Sequence, residues 1–238
     1  TTLLSQVDSS IGGKNGINSK FGKNHVGTFY QPDKVIIDPF FLKSLSFKQI
    51  KSGYAEIVKH AIINDKKFYD WLKNNYKKIY SLENETVIAA IQKSIKIKAK
   101  FVIKDEKENL KNSSSRAMLN FGHTFGHAIE SMNHYGSNIS HGEAISIGMI
   151  LAAKISYKEK NILKSELDDL INHFKDAKLP TDSKLIKNLS FYKKIIDDKK
   201  NMNNKVNLIL LKTIGRSYFA RNFKINKIKN IIHNSKKF

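Results

Sequence analysis

The chain has 238 residues, of which 40% are hydrophobic, with no cysteine and a formal net charge of +21. That length and apolar content support a buried core in one or two domains and argue against disorder; zero Cys excludes disulfides, thiolate metal sites and a cysteine nucleophile together, leaving His, Asp and Glu as side-chain metal ligands. The charge invites a nucleic-acid reading, but only Arg116, Arg216 and Arg221 are arginine, and base readout leans on Arg and aromatics presented together, so no nucleic-acid partner is expected. With no run of 18 apolar residues and no basic, apolar leader, neither a membrane span nor a signal peptide is expected, and the implied address is cytoplasmic.

The opening TTLLSQVDSS lacks an initiator Met and reads like the middle of a folded unit, so an upstream portion is expected to be missing. Residues 1–46 have strand-and-turn character, with glycine loops in SSIGGKNGIN and FGKN followed by KVIID between Pro32 and Pro39. Lys14 after a Gly pair and Lys23 after Gly22 resemble phosphate-cradling turns. Neither has the P-loop or GxGxxG spacing, and two solvated surface turns are an equal reading.

From about Ser46 the pattern turns helical. In FKQIKSGYAEIVKHAII, Glu56 and Lys59 fall three apart on one face among Ala55, Ile57, Val58, Ala61 and Ile62, which predicts that both charges are partly buried. Exposed, they would form only a local ion pair of a few tenths of a kcal/mol. A further helix, about Glu83 to Lys104, carries Lys98, which composition cannot distinguish from its lysine neighbours.

After the Ser-rich loop NLKNSSS, the stretch RAMLNFGHTFGHAIE, Arg116 to Glu130, is predicted as one helix. At about 100° per residue Asn120, His123 and His127 share one face with Arg116 nearby, while Met118, Phe121, Phe125 and Ile129 form the opposite, apolar face. A solvated face in so lysine-rich a chain would carry Lys and Glu, so this one is expected to line a cavity. Gly122 and Gly126 each cost about 1 kcal/mol of helix propensity, which predicts a close approach to the backbone there.

Two His at i and i+4 can share a metal or be ordinary polar residues, and Thr124 after the first His argues against a zinc peptidase. The next helix starts at HGEAISIGM with Ser140 as N-cap and Glu143 closing a capping box. His141 in its first turn is held neutral by the positive end of the helix dipole, which suits a ligand as well as an exposed helix start. Beyond Pro180 the sequence predicts short helices, a strand and turn around Val206 to Leu211, and an amphipathic terminal helix.

Taken together, TTLLSQVDSSIGGKNGIN, GKN, SGYAEIVKHAI, LNFGHTFGHAIE and HGEAISIGM resemble, in order and spacing, the signature of 3-dehydroquinate synthase. The resemblance implies a mainly α chain: residues 1–46 as the C-terminal remnant of an α/β NAD-binding domain, and residues 47–238 as an all-helical metal- and substrate-binding domain. It implies Zn2+ or Co2+ on Glu56, His123 and His141, with His127 as a proton-transfer residue behind them. Lys59, Lys98, Arg116 and Asn120 would line the substrate site, and Lys14, Lys23 and Asn24 would face nucleotide and substrate. Thr1, Thr2, Phe41, Leu42, Lys43 and Ser44 would contribute to NAD binding, and Asp8 and one of Lys199 or Lys200 would also reach the site.

The reaction so implied converts the seven-carbon sugar acid phosphate DAHP into 3-dehydroquinate in the shikimate pathway, in an enzyme that is a homodimer when complete. Its nearest competitors are related NAD- and metal-dependent sugar-phosphate cyclases, such as 2-deoxy-scyllo-inosose synthase, and metal-dependent alcohol (polyol) dehydrogenases. The glycine-rich nucleotide turn of that family lies upstream of what this sequence contains, so metal binding without tight NAD binding or turnover is expected of the chain alone. The family's acidic segment appears as Asp105 to Glu108, but NLKNSSS separates it from Arg116 and leaves the place of Glu108 open. Lys107 stands where Arg is usual, and Asn15 where Thr is common.

Overall fold

Residues 1–19, 22–133, 138–197 and 205–233 are described by the computed structural model, with backbone alone at 18–19, 22–25, 197 and 233. Lys199 and Lys200 lie outside these residues, as do the side chains of Lys23 and Asn24, two strand positions. Two helices organise the remainder because their sequences are apolar nearly all round.

Helix α1 (Phe47–Asn64) starts at Ser46, whose hydroxyl accepts from the Gln49 N–H while the Gln49 side chain accepts from the Ser46 N–H. That capping box sets the start, and residues 52–63 are then buried without interruption. Helix α5 (His141–Lys158) begins the same way, with Ser140 and Glu143 as the reciprocal pair, and its residues 144–153 are all buried. Around this pair lie α2 (Lys66–Tyr80), α3 (Asn84–Lys104), α4 (His123–Met132), α6 (Lys164–Asp176), α7 (Leu189–Asp197) and α8 (Ile225–His233).

Glycine lets the central helices approach closely. A Cβ on Gly142 would lie 2.4 Å from the Ser52 Cα, and the Gly142 N–H donates to the Ser52 hydroxyl at 2.9 Å. On the other side of α5, a Cβ on Gly148 would lie 2.1 Å from the Gly122 carbonyl oxygen, and one on Gly126 would lie 2.5 Å from Ile145 Cδ1. The close approach expected at Gly122 and Gly126 is therefore met by α5.

Two antiparallel hairpins complete the described residues. Strands β1 (Lys14–Ser19) and β2 (Gly22–Phe29) pair with Lys14 opposite Phe29. Strands β3 (Lys205–Thr213) and β4 (Arg216–Lys224) turn at Gly215 and pack on α5 and α1, with α8 following on. β3 contains the strand expected at Val206 to Leu211; its residues 208–211 are buried in succession, as a strand covered on both faces requires. From residue 47 on the described residues are thus predominantly rather than wholly helical.

Three local expectations are corrected. Thr1 to Ser10 is not strand and turn but a helical turn with a π segment at Ser5–Ser9, because Leu3 and Val7, one turn apart, both bury, and Leu3 lies close over Gly53 of α1. KVIID is not a strand: it has no regular structure and no ladder partner among the described residues, and Ile36 is 83% exposed. Arg116 to Glu130 is not one helix. A 3-10 turn at Arg116–Asn120 ends at Phe121, and Gly122, at φ +79°, redirects the chain into α4. Only a residue without Cβ adopts that conformation cheaply with Met149 N at 2.6 Å from where Cβ would stand.

Candidate metal centre and active site

Glu56 enters the site from the middle of α1 and is 0% exposed. An ionised carboxylate is tolerated in such a place only with a cation beside it, and Lys59, one turn on and equally buried, pairs with its Oε2. Burial pushes the carboxyl up, but Lys59, then His123 and the nearby His141 ring, outweigh it and hold it well below the usual carboxylate range. Among the described residues its other oxygen, Oε1, has no hydrogen-bond partner. It faces His141 Nε2 at 3.6 Å and His123 Nε2 at 3.7 Å.

The imidazoles are aimed by what their second nitrogens touch. His123, the first residue of α4, places Nδ1 3.2 Å from the Phe121 carbonyl. A carbonyl can only accept, so Nδ1 carries the proton and Nε2 presents a lone pair. Burial, with Lys59 adding to it, keeps this imidazole neutral well below its ordinary range. His141, the first residue of α5, places Nδ1 3.0 Å from Glu130 Oε1. One carboxylate oxygen and two Nε2 atoms thus converge, their ligand atoms within 4.8 Å of one another. A buried unpartnered oxygen facing two nitrogen lone pairs is the donor set of a divalent cation such as Zn2+, and the three residues fit it.

Asp8, Glu56 and His60 also come within 4.8 Å. This second grouping is already neutralised. Asp8 Oδ1 accepts from Lys98 Nζ at 2.7 Å, and although burial raises its carboxyl, Lys59 and Lys98 hold it well below its ordinary value. Two buried ammonium groups beside it leave no room for another cation on charge grounds. Lys98 is pushed down by burial and held up by Asp8.

His127 sits one turn beyond His123 on α4, half-buried, the two rings edge to face with centroids 5.3 Å apart. Because of the break at Gly122, Arg116 and Asn120 do not share that helix. Arg116 is buried; its Nη1 donates to the Glu106 carbonyl at 2.8 Å, and the guanidinium lies 5.9 Å from the Phe29 ring centre. Asn120 donates to Glu108 Oε1 at 2.9 Å, and Lys14 pairs with Glu108 Oε2. Glu108, whose place the sequence left open, therefore joins β1 to the 3-10 turn.

The Ser-rich loop is accommodated because its root is pinned. Asp105 accepts from the N–H groups of Asn109, Leu110 and Arg116 and from the Ser115 hydroxyl. Residues 111–113 of the loop are exposed.

Of the residues expected at NAD, Thr2 caps the first helical turn, its Oγ1 accepting from the Ser5 N–H at 3.1 Å. Thr1, Phe41, Lys43 and Ser44 are exposed, the last three on the 3-10 turn Pro39–Ser44. Leu42 is in the core, so only its backbone is available to a ligand. Sequence reasoning gave no role to Glu130 or His60. Glu130 was readable in principle as the position seven residues after His123 on the same helical face; nothing local marks His60.

A mostly helical chain with a buried Glu–His–His centre, flanked by lysines and approached by glycine-packed helices, has the fold of known synthases. The 2-epi-5-epi-valiolone synthase of Streptomyces hygroscopicus, solved with NAD+ and Zn2+ bound, superposes with a TM-score of 0.87 at 22% identity over 98% of this chain and 64% of that one. A 2-deoxy-scyllo-inosose synthase solved with carbaglucose-6-phosphate, NAD+ and Co2+ superposes with a TM-score of 0.79 at 25% identity, over 97% and 65%. In sequence, residues 53–201 match the family described as 3-dehydroquinate synthase C-terminal, and residues 1–52 match 3-dehydroquinate synthase N-terminal. The chain belongs to the 3-dehydroquinate synthase family. The 3-dehydroquinate synthase of Pelagibacter ubique is 46% identical over 230 residues, and that of Aliivibrio fischeri 47% over 218. These alignments take in 94% and 91% of this chain but 61% and 59% of the relatives' own length.

Proposed function

We propose that this chain carries the metal- and substrate-binding part of a 3-dehydroquinate synthase, acting on DAHP as an NAD- and metal-dependent carbon–oxygen lyase. The observation that carries the reading is the unpartnered, fully buried Glu56 Oε1 facing the Nε2 atoms of His123 and His141. When bound, the metal supplies a Lewis acid for a substrate hydroxyl and NAD supplies a reversible hydride acceptor.

The chain's own residues do the rest. Lys59 keeps Glu56 ionised in an apolar helix and stands ready to orient substrate oxygen. Lys14, Lys98 and Arg116 supply cationic donors for carboxylate and phosphate and Asn120 a neutral one, to which the family motif adds Asn24. Glu108 occupies Lys14 and Asn120 until the substrate's own anions take over the cation. His127, adjacent to a ligand but outside the three-ligand set, moves the proton. Lys23, with Thr1, Thr2, the backbone of Leu42 and the side chains of Phe41, Lys43 and Ser44, would form one wall of the NAD site in a unit that ends near residue 46. The helical domain from residue 47 holds the metal. The complete enzyme is a cytoplasmic homodimer in this reading; among the described residues no helix is long and apolar enough to cross a membrane.

Elemental analysis tests the central claim. The purified chain should hold one zinc or cobalt, and the variant with Glu56, His123 and His141 all changed to Ala should hold none. Stoichiometric metal in that triple variant under matched conditions would end the proposal.

A further inference from the structure

We propose that Glu130 is the positioning residue of the metal centre. It holds the His141 ring in the tautomer and orientation that deliver Nε2 to the ion, and its charge raises the basicity of that ligand. The inference rests on the metal reading above and goes beyond it by assigning a fourth residue.

The two imidazoles are held differently. His123 gives its Nδ1–H to a main-chain carbonyl, Phe121, which no substitution of that side chain removes. His141 instead has a carboxylate 3.0 Å from Nδ1, and that carboxylate is itself buried, 8% exposed. An ionised carboxylate can only accept, so it fixes the proton on Nδ1 and leaves the Nε2 lone pair facing Glu56 Oε1. The capping groups at the start of α5 are engaged elsewhere: Ser140 and Glu143 bond to each other and to backbone, and Glu143 pairs with Lys51.

Position on the fold explains how Glu130 can do this. His123, His127 and Glu130 stand at i, i+4 and i+7 of α4 and share one face. One helix therefore brings a ligand, the proposed proton-transfer group and the group that aims the other ligand. Since α4 and α5 are packed at glycine contact, the spacing between Glu130 and His141 is set by backbone rather than by flexible side chains.

The test is zinc affinity measured by chelator competition on the full chain with Zn2+ alone, for wild type, Glu130→Gln and Glu130→Ala. Glu130→Gln keeps the shape and an acceptor but loses the charge, and should weaken zinc about 10-fold; Glu130→Ala loses both and should approach about 100-fold. The metal-free Glu130→Gln chain should unfold at the wild-type temperature. The ring nitrogen signals of metal-free His141 should report an Nδ1–H tautomer that Glu130→Ala loses, two readouts that a merely structural role would not move in this pattern. If Glu130→Ala fails to fold, Glu130→Gln decides alone. Affinities within about threefold of wild type in folded variants would overturn the inference and leave the metal site standing. No zinc in the wild-type chain would overturn both.

Discussion

The distance between Glu56 and His141 is set by the crossing of α1 and α5, and that crossing can be perturbed by one methyl group. In Gly142→Ala the new Cβ would stand 2.4 Å from both the Ser52 Cα and its carbonyl oxygen and 2.7 Å from its carbonyl carbon. All three are backbone atoms of α1, so no side chain can swing aside, and the helices must separate by about 1 Å to restore van der Waals contact. Such overpacking costs typically 1–3 kcal/mol. The same movement stretches the Gly142 N–H to Ser52 hydroxyl bond, a loss of about 1 kcal/mol more.

A total of about 2–4 kcal/mol corresponds, for a chain of this length, to a fall of about 5–15 °C in thermal midpoint. Because Ser52 lies four residues before Glu56 and Gly142 directly follows His141, the shift falls on the ligands themselves. Zinc affinity should drop by more than 10-fold. The comparison is Ser52→Ala, which removes the hydroxyl without forcing the helices apart and should lower the midpoint while leaving zinc affinity nearer to wild type. Differential scanning calorimetry of the metal-free chain and chelator competition supply the two numbers. A Gly142→Ala chain with wild-type zinc affinity and a midpoint within 1 °C would refute the claim that backbone contact between α1 and α5 spaces the site.

In the complete enzyme, with the upstream part of the NAD-binding domain present, His127→Gln should retain stoichiometric metal and lose turnover by about 10²-fold or more, since it removes a proton-transfer group but none of the three proposed ligands; normal turnover in that variant, assayed with DAHP and NAD+, would remove the role. His173 gives a pH dependence unrelated to catalysis. It is buried among Tyr54, whose hydroxyl is 3.0 Å from its Nε2, and the rings of Tyr69 and Tyr76; burial pushes its pKa down to about 4, with Lys73 assisting and Asp169 and Asp176 opposing. Its folded value lies below the ordinary 6.5, so the stability is fully present above pH 6.5 and is lost as pH falls toward 4, by at most about 3 kcal/mol. His173→Phe should flatten the urea midpoint between pH 6.5 and 4; an unchanged slope would assign the acid sensitivity elsewhere. In Asp105→Ala the four donors gathered by that carboxylate lose their acceptor, so the loop should loosen and proteolysis should cut near residues 111–113 first, with no preferential nicking counting against the pinning role.

The sequence by itself determined what depends on neighbours along the chain. The starts of α1 and α5 are written in Ser46 with Gln49 and in Ser140 with Glu143, because a capping box closes within four residues and needs no tertiary partner. The burial of Glu56 with Lys59 follows from the apolar residues between and around them, and the pairing of His123 with His127 from one turn of helix. The family motifs added the expectation that Glu56, His123 and His141 act together. What only the tertiary structure decided involves atoms far apart in the chain. The periodicity of RAMLNFGHTFGHAIE is consistent with an unbroken helix, and only α5, standing over Gly122 with Met149, shows why the chain must turn there. Leu3 and Val7 could have alternated with polar residues in a strand; the hollow at Gly53 makes them one face of a helical turn. Glu108 finds Lys14 across 94 residues, and Glu130 finds His141 across the junction of two helices. Local hydrogen bonds fix the elements, but the free energy that selects how the elements meet comes from burial and close packing between distant segments, which a linear pattern does not encode.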